Sequence, residues 1–556
     1  MKKITAVIFA AGLAICSLIA APKYTQDCNG GICITNIDKD SSVKVNQKVD
    51  GFKNVIAVDG KKLKKVNPVT IDLSDFSNKE VFIKLNCEIK IVDKNNRVND
   101  IIWVINDMDA GFPTLCQQKI PSGEWVNLSG EVAVPLGEKR SLYISGSGLS
   151  LEDLTFYLKD FKITITGDGI GTADATPMNW LEAPSLKNAF KDDFEFGLAV
   201  GLNGCLNTSN VMEGLEHHVT TTTMGNEFKP DFLFNWARPG DFVDFIGEDG
   251  KAYKVPGNVP YFKNMDTCLS IVKSLGIRMR GHVLVWHSQT PHWFFTKDFT
   301  NDKNAPLVTP AEMNARQEWY IKSVLEHVTE WEAKNNRGNH IVYAWDVVNE
   351  AVSDGAGSQK WLREDSDWFR VYGNDDFIVN AFRYANKYAP KDVVLVYNDY
   401  GCASPQKCKA ICNLVDHLKS VPDARIDAVG MQSHVGMDTP VTGYNSFETS
   451  VHAFFDHDVD VQITELDIAN GQKKYSPIML KAKYKEFFKM FLANKKTKDK
   501  KHGITGVTIW GLTDEGSWLD DLEMYKGHKQ YPLLFNADWT VKPAFYGVLE
   551  AADEQQ

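Results

Sequence analysis

Two glutamates in this 556-residue chain stand at the ends of apolar, β-branched runs. The first run, Ile341 to Val352, contains Asn349-Glu350, and the second, Val459 to Ile468, contains Glu465. A continuous Val/Ile/aromatic run of this length predicts a strand buried on both faces, as in a parallel sheet. Catalytic groups of strand-and-helix barrels lie at the carboxyl ends of such strands. A fold that brought both carboxylates together could use one as a general acid and the other as a nucleophile.

Further polar and aromatic residues stand near the ends of the other predicted strands. Planar amides and charged groups hydrogen-bond sugar hydroxyls, and indole faces pack against the apolar faces of a sugar ring. The sequence therefore predicts a sugar-binding cleft. The residues that form this set are Asn226, Lys229, His282, Trp286, Gln289, Asn349, Gln432, His434, Trp510 and Trp518, with Asn398 and Asp467 beside them.

Eight strand candidates alternate with charged, helical stretches after about residue 185. They are Phe194–Gly201, His217–Thr223, Arg278–Trp286, Val342–Val348, Val393–Tyr397, Ala428–Gln432, Val459–Thr464 and Gly506–Trp510. Eight such units predict an α/β fold, a (β/α)8 TIM barrel, over residues 185–551. A doubly wound sheet is the alternative, although it requires no particular strand number and this region has no Gly-rich phosphate loop.

The part before the barrel has a different pattern. Residues 28–166 show short alternating strands with Gly, Asn and Asp turns, which predicts an all-β jelly-roll sandwich domain. Residues 167–184 are rich in Gly, Thr, Ala and Asp and are interpreted as a linker.

The amino terminus predicts export. Residues 1–21 combine two lysines, an apolar stretch and small residues near Ala20-Ala21, which is typical of a secretory signal peptide; a membrane anchor is the alternative. We therefore expect a secreted protein, extracellular or held in the periplasm or at the cell surface. Export would permit disulfides among the ten cysteines, such as a bridge between Cys28 and Cys33.

Composition and net charge limit the classes of binding partner that the protein can have. With 43% hydrophobic and 24% charged residues the chain is globular, and its net charge of −11 argues against nucleic acid or an anionic membrane as partner. A neutral substrate and a monomeric state are expected.

Several segments resemble the signature segments of glycoside hydrolase family 10 endo-β-1,4-xylanases. The resemblance covers roughly Leu186 to Leu549. The segments are Gly281 to Gln289, Trp345 to Ala351, Gly430 to His434, Ile463 to Asp467 and Thr508 to Asp514.

The resemblance implies a retaining endo-β-1,4-xylanase of barrel fold that acts on xylan and xylo-oligosaccharides without a cofactor or metal. Glu350 would be the acid/base and Glu465 the nucleophile, with His434 bonded to Glu465 and Asn349 bonded to the sugar 2-hydroxyl. The non-reducing-side subsites would be lined by Asn226, Lys229, His282, Trp286 and Gln289, with Trp510 and Trp518 over the cleavage point.

One position departs from the family pattern. Gly225 stands where the family usually has a carboxylate that grips the sugar one ring beyond the cleavage site. We expect weaker binding there unless Glu227 substitutes for it.

The β-domain resembles, more weakly, the carbohydrate-binding modules that are joined to such enzymes. The resemblance lies in Gly123 to Gly130, Leu142 to Ser145 and Thr155 to Phe161, and Trp103, Phe112 and Trp125 are candidate ligand aromatics.

Three other interpretations remain open at this stage. His282, His287 and His434 could form a zinc site, although indoles and amides surround them in the predicted cleft. The barrel could hydrolyse a β-1,4-glucan, since pocket volume decides whether a hydroxymethyl group is admitted. It could also be an inactive glycan-binding protein.

Overall fold

The computed structural model describes residues 23–27, 43–60, 70–73, 81–106, 114–134, 141–146, 154–167, 178–202, 206, 208–336, 340–355, 361–471 and 477–554. The predicted signal peptide, Phe112 and the Cys28–Cys33 pair lie outside these residues. The chain divides into two compact units, Met1–Thr176 and Pro177–Gln556. Across the described ranges, every helix is too short or too polar to cross a membrane.

The first unit consists of two antiparallel sheets, which confirms the all-β prediction. One sheet has the order β2-β3-β10-β5-β8, with β1 paired to β10, and the other has the order β4-β9-β6-β7. The strands are β1 (Lys23–Asp27), β2 (Val43–Val49), β3 (Phe52–Asp59), β4 (Thr70–Asp72), β5 (Val81–Val92), β6 (Asn99–Asn106), β7 (Thr114–Ile120), β8 (Trp125–Val134), β9 (Ser141–Gly146) and β10 (Thr155–Gly167).

Alternation in sequence accounts for the core of this unit. Along β5, Ile83, Leu85 and Ile89 are buried, whereas Lys84 and Asn86 are exposed. Because successive side chains of a strand point to opposite faces, one face is apolar and packs inward. Trp103 on β6 is fully buried in the same core, so this candidate ligand aromatic serves packing.

The second unit contains the predicted barrel. Eight parallel strands close into a ring in the order β11-β12-β15-β16-β17-β18-β20-β21, and β21 pairs back to β11. The strands of this unit are β11 (Glu195–Val200), β12 (Thr221–Met224), β13 (Phe242–Ile246), β14 (Ala252–Pro256), β15 (Arg278–Trp286), β16 (Val342–Asn349), β17 (Val394–Asp399), β18 (Ala428–Met431), β19 (His434–Gly436), β20 (Asp460–Ala469) and β21 (Ile504–Ile509).

Helices surround this ring. The helices are α1 (Leu186–Phe190), α2 (Ser209–His218), α3 (Pro230–Leu233), α4 (Phe262–Ser274), α5 (Pro310–Asn335), α6 (Asp367–Tyr372), α7 (Asp376–Tyr388), α8 (Pro405–Ser420), α9 (Phe447–Asp456), α10 (Pro477–Ala493) and α11 (Pro543–Asp553). The longest, α5, begins with a capping box in which Thr309 and Glu312 bond each other's backbone N–H groups.

The second barrel strand differs from its prediction at one end. His217 and His218 form the last turn of α2, and the strand begins at Thr221. The His218 ring is buried against Trp180, and its Nε2 lies 2.8 Å from the Trp180 carbonyl oxygen. Burial lowers the pKa of His218 to about 4, so the imidazole is neutral and packs as an aromatic ring.

Trp180 stands inside the segment interpreted as a linker. Its ring is fully buried and lies 4.7 Å from the ring of Trp539 between centroids. Its Nε1 donates to Asn210 Oδ1 at 3.2 Å. The stretch around Trp180 is therefore packed into the second unit, while residues 168–177 lie outside the described ranges.

Candidate active site

Glu350 follows directly after β16, at the carboxyl end of a strand whose residues are all buried. Its φ of +55° turns the chain away from the strand direction. Three neutral N–H groups donate to its carboxyl group: Trp286 Nε1 to Oε2 at 2.9 Å, and Asn349 Nδ2 and Gln432 Nε2 to Oε1 at 3.1 Å and 2.8 Å. Residues of β15 and β16 and the residue after β18 therefore orient this side chain.

Glu465 lies inside β20, is 5% exposed and has a charged partner. His434 Nε2 is 3.3 Å from its Oε2, and Asn398 Nδ2 donates to its Oε1 at 2.9 Å. Burial alone would raise the pKa of Glu465, but the His434 hydrogen bond, the electrostatic effects of His282 and His434 and the Asn398 bond lower it to about 2. Glu465 is consequently ionised at neutral pH, as a nucleophile must be.

His434 is held between two carboxylates. Its Nδ1 lies 2.9 Å from Asp467 Oδ2, opposite the nitrogen that faces Glu465. Burial would lower the pKa of His434, but the charges and hydrogen bonds of Asp467 and Glu465 raise it to about 10. The ring is thus an imidazolium with one carboxylate on each side, which also argues against a zinc-ligating role for it.

Asn349 and Asn398 connect the two glutamates through hydrogen bonds. Asn398 Nδ2 donates both to Glu465 Oε1 and to Asn349 Oδ1, each at 2.9 Å. Thr464 Oγ1 donates to Asn398 Oδ1 at 2.6 Å. Because the ionised Glu465 carboxylate can only accept, its contact with Asn398 fixes which end of the amide is nitrogen. A continuous line of hydrogen bonds therefore runs from Glu350 through Asn349 and Asn398 to Glu465.

Four predicted sugar-binding residues gather on the loops after β12 and β15. Lys229 Nζ donates to Gln289 Oε1 at 2.8 Å and to Asn226 Oδ1 at 3.2 Å, and it lies 4.9 Å from the ring centroid of Trp286. Burial lowers the pKa of Lys229, although the charges of Glu465, Glu350 and Glu227 partly offset this effect. The result is a cation and two amides beside an indole, near both glutamates.

Trp510 and Trp518 lie close to His282 and His434. Trp518 Nε1 donates to Asp467 Oδ2 at 2.9 Å, and its ring centroid lies 4.7 Å from that of His434. The Trp510 ring lies 5.7 Å from His282 and 6.4 Å from His434. Trp518 is 38% exposed, so part of this residue is accessible to solvent.

His282 stands above a fully buried ion pair. Its Nδ1 is 2.8 Å from Asp346 Oδ2, while Arg280 Nη2 donates to Asp346 Oδ1 at 2.5 Å. Arg280 Nε donates to Gln462 Oε1 at 2.9 Å. A charged pair inside a barrel is stable only when such bonds satisfy it. The Asp346 carboxylate of this pair fixes the orientation of the His282 ring.

Glu227 does not substitute for the carboxylate missing at Gly225. Its Oε1 accepts from the Leu202 N–H at 2.8 Å and its Oε2 from the Asn226 N–H at 3.3 Å. With both oxygens bound to backbone and the residue 5% exposed, it stabilises the two loops rather than facing a ligand.

Two neighbours of the site, Arg363 and Asp346, were missed by sequence reasoning. Arg363 Nε donates to the Glu350 carbonyl oxygen at 3.1 Å and its Nη2 to Tyr400 Oη at 2.9 Å. Asp346 could have been identified, because it is a polar residue within a buried apolar strand. His287, which the sequence analysis considered as a zinc ligand, has its Nδ1 4.0 Å from Glu350 Oε2. Arg363 lies in irregular loop sequence and carries no comparable signal.

The arrangement suits acid–base and nucleophilic chemistry on a glycoside. An indole and two amides donate to the carboxyl group of Glu350, and the Glu465 carboxylate is ionised beside an imidazolium and accepts from an amide. Among the described residues no group of three or more His, Cys, Asp or Glu side chains is placed to hold a metal ion.

Comparison with known proteins agrees with this geometry. Residues 185–551 match the family described as glycosyl hydrolase family 10. Endo-1,4-beta-xylanase A of Thermotoga neapolitana is 32% identical over 451 residues, which are 80% of this chain and 38% of that protein. Endo-1,4-beta-xylanase Y of Acetivibrio thermocellus is 31% identical over 444 residues, 78% of this chain and 38% of that protein. The chain thus spans well under half the length of these two relatives.

Solved structures are also similar. The CBM22-1 and GH10 modules of a Clostridium thermocellum endo-1,4-beta-D-xylanase, complexed with xylohexaose, align with a TM-score of 0.56 at 26% identity, covering 92% of this chain and 93% of that one. A GH10 structure from Paenibacillus barcinonensis aligns with a TM-score of 0.54 at 28% identity, covering 66% of this chain and 98% of that one.

Proposed function

The chain belongs to glycosyl hydrolase family 10, and from this premise we propose that it is a retaining endo-β-1,4-xylanase. The observation that carries the proposal is the contrast between Glu350, which follows β16, and Glu465, which lies inside β20. Glu465 is ionised beside an imidazolium, whereas the hydrogen bonds to the Glu350 carboxyl group come from an indole and two amides. That division of roles is the one that double displacement at a sugar requires.

In the first step, Glu465 attacks the anomeric carbon of the sugar on the non-reducing side of the bond. Glu350, in its acid form, delivers a proton to the oxygen of the leaving sugar. Asn349 lies between the two carboxyl groups and bonds Glu350 through Nδ2. We assign it to the 2-hydroxyl of the attacked sugar, a contact that strengthens in the transition state.

In the second step, Glu350 accepts a proton from a water molecule that attacks the glycosyl ester. Cleavage of the ester frees the Glu465 carboxylate, which again pairs with His434. His434 keeps its proton because Asp467 and Glu465 both stabilise the imidazolium. Two inversions at one carbon give overall retention.

The non-reducing-side sugars are assigned to Asn226, Lys229, His282, Trp286 and Gln289. Trp510 and Trp518 are assigned to the cleavage point, and Gln432 to the orientation of Glu350. The cluster of Lys229, Asn226 and Gln289 supports this assignment, since its donors and acceptors surround an indole.

The same proposal covers the rest of the chain. We infer that the protein is secreted, on the basis of the amino-terminal sequence pattern. The first unit is proposed as a carbohydrate-binding module, supported by its two antiparallel sheets. Phe112 and Trp125 stay candidate ligand aromatics, and Trp125 has its Nε1 bonded to Asp50 Oδ2 at 3.0 Å and its ring centroid 5.8 Å from that of the half-exposed Phe52.

The test is reducing-sugar release from xylan, carboxymethyl cellulose and mixed-linkage glucan by the full chain. Wild type and the control Glu330→Gln, on the exposed face of α5, should release short xylo-oligosaccharides. Glu465→Gln should release none. Greater release from a glucan than from xylan would identify a β-1,4-glucanase, and no release from any polymer by wild type would contradict catalysis altogether.

A further inference from the structure

The backbone of Glu350 has a conformation that a residue with a side chain rarely adopts. Its φ of +55° lies in the left-handed region, where the Cβ atom crowds the following carbonyl oxygen. Such a conformation persists when the surrounding structure holds it on several sides, and it is most common at functional sites. The contacts that hold this peptide therefore determine the direction in which the Glu350 carboxyl group points.

The N–H groups at and after Glu350 are bonded to strand β17. The Glu350 N–H donates to the Asn398 carbonyl oxygen at 2.9 Å. The N–H groups of Ala351 and Val352 donate to Tyr397 Oη at 3.1 Å and 2.9 Å. The neighbouring strand thus fixes three successive N–H groups of this stretch.

The carbonyl oxygen of Glu350 is bonded to the side chain of Arg363, whose Nε donates to it at 3.1 Å. The backbone of Arg363 makes a separate contact, because its N–H donates to the Ala351 carbonyl oxygen at 3.0 Å. One step further along, the Ser353 N–H donates to the Trp361 carbonyl oxygen at 2.8 Å. This backbone pairing does not use the guanidinium, so the side chain can be removed without breaking it.

Arg363 is itself held in place by its neighbours. Its Nη2 donates to Tyr400 Oη at 2.9 Å, and Tyr400 Oη donates to Asp354 Oδ2 at 2.5 Å. Lys407 Nζ lies 3.1 Å from Asp354 Oδ1 and 2.8 Å from Asp399 Oδ1. The planar guanidinium, with its nitrogens in a fixed arrangement, is thereby anchored at one end while the other end binds the Glu350 carbonyl oxygen.

We propose that Arg363 is a positioning residue for Glu350. By binding the Glu350 carbonyl oxygen, the guanidinium keeps the left-handed peptide in place and directs the carboxyl group toward the leaving oxygen of the substrate. This role rests on the proposed function, in which Glu350 is the acid/base. Without Arg363 the peptide can rotate, and a displacement of about 1 Å at a proton donor slows the reaction.

The test uses two substrates that need the acid to different extents. Arg363→Ala should lower kcat/KM on xylan at least about tenfold, with KM within about twofold of wild type, because the residue acts through Glu350. On 2,4-dinitrophenyl xylobioside, whose leaving group needs no proton, kcat/KM should stay within about twofold of wild type. Guanidinium ion at millimolar concentration should restore part of the xylan rate, because it can occupy the space of the lost side chain.

Arg425 provides the matched control at the opposite end of the barrel strands. Its Nη2 donates to the Val393 carbonyl oxygen at 3.0 Å and its Nη1 to Asp427 Oδ2 at 2.6 Å, just before β17 and β18 begin. It is therefore also an arginine that binds a backbone carbonyl group and a side-chain oxygen. Arg425→Ala should leave the ratio of the two kcat/KM values as in wild type, with or without guanidinium.

An equal loss on both substrates, or a ratio unchanged from wild type, would overturn the role of Arg363 while wild type still hydrolyses xylan. Failure of wild type to hydrolyse xylan would contradict the proposed function, and this role with it. Thermal unfolding establishes that each variant is folded. If Arg363→Ala is not, the same ratio is measured for Arg363→Lys, which should also show a fall because one ammonium cannot reproduce both bonds of the guanidinium.

Discussion

At the scale of single residues, the two glutamates differ in the groups that contact them. Glu465 is contacted by an amide and an imidazolium, and its pKa falls to about 2 despite its burial. Glu350 is contacted by an indole and two amides. These donors hold the carboxyl group of Glu350 in one orientation, as proton transfer to a bound substrate requires.

Glu350→Ala should therefore affect substrates unequally. On xylan, whose leaving sugar needs a proton, we expect kcat/KM to fall by about 10²–10⁴-fold. On an aryl xylobioside with an acidic phenol as leaving group, the first step should proceed at near wild-type rate. Steady-state rates on both substrates check this, and an equal loss on both would contradict the acid/base assignment.

Gly225 is a second residue-scale test. A Cβ built there would have the Val200 carbonyl oxygen as its nearest neighbour at 3.5 Å, so a side chain can be accommodated. Gly225→Glu should lower KM for xylotriose about fivefold, as expected for a hydrogen bond from a sugar hydroxyl to a charged group of about 1 kcal/mol. Gly225→Gln is the neutral control. Equal KM values for wild type and Gly225→Glu would show that this position is unimportant for binding.

At the scale of elements, the strands determine which residues meet. The periodicity of the sequence was sufficient to predict all eight barrel strands, because strands buried on both faces leave long apolar runs. It failed at His217 and His218, which continue a helix whose apolar side includes a histidine kept neutral by burial. Cleft residues on strand ends could be identified from their motifs. Arg363 could not, because its contact with Glu350 depends on a loop path that no periodicity encodes.

Strand packing gives an element-scale prediction at Gly430 on β18. A Cβ there would lie 2.3 Å from Asn398 Oδ1, which is the residue that joins the two glutamates. Gly430→Ala should displace Asn398, lower kcat/KM by at least about tenfold and destabilise the fold by about 1–3 kcal/mol. The measurements are xylan hydrolysis and denaturant unfolding.

Gly506 on β21 provides the matched control. Its Cβ would meet nothing closer than Tyr343 Oη at 3.6 Å. Gly506→Ala should therefore keep both activity and stability close to wild type. If the two variants behaved alike, close packing around Asn398 would not be the reason that a glycine occupies position 430.

At the scale of the whole molecule, the two units have separate cores. The first unit buries its own apolar set between two sheets, and the second closes its ring of strands without strands from the first. A chain that begins at Pro177 should fold and hydrolyse xylohexaose with kcat/KM within about twofold of the full chain. Circular dichroism and initial rates test this; loss of folding would show that the units depend on each other.

Stability should also depend on pH through His434. Its folded pKa of about 10 exceeds the unfolded value near 6.5, so its contribution is complete below about pH 6.5 and is lost as pH rises through 10. The free energy of unfolding of wild type should fall across this range more steeply than that of His434→Gln. Identical slopes in urea titrations at pH 6, 8 and 10 would contradict the raised pKa.

The hydrogen-bonded amides of Asn349 and Asn398, which link the two glutamates, have a consequence for the chemical stability of the protein during storage. Asn398 uses its nitrogen for two bonds and its oxygen for the bond from Thr464, so the amide cannot be turned around. Deamidation of this one side chain would replace a double donor with a carboxylate placed between Glu465 and Asn349. We expect this change to abolish catalysis and to leave the protein folded. Loss of activity during storage would then occur without a matching fall in the melting temperature.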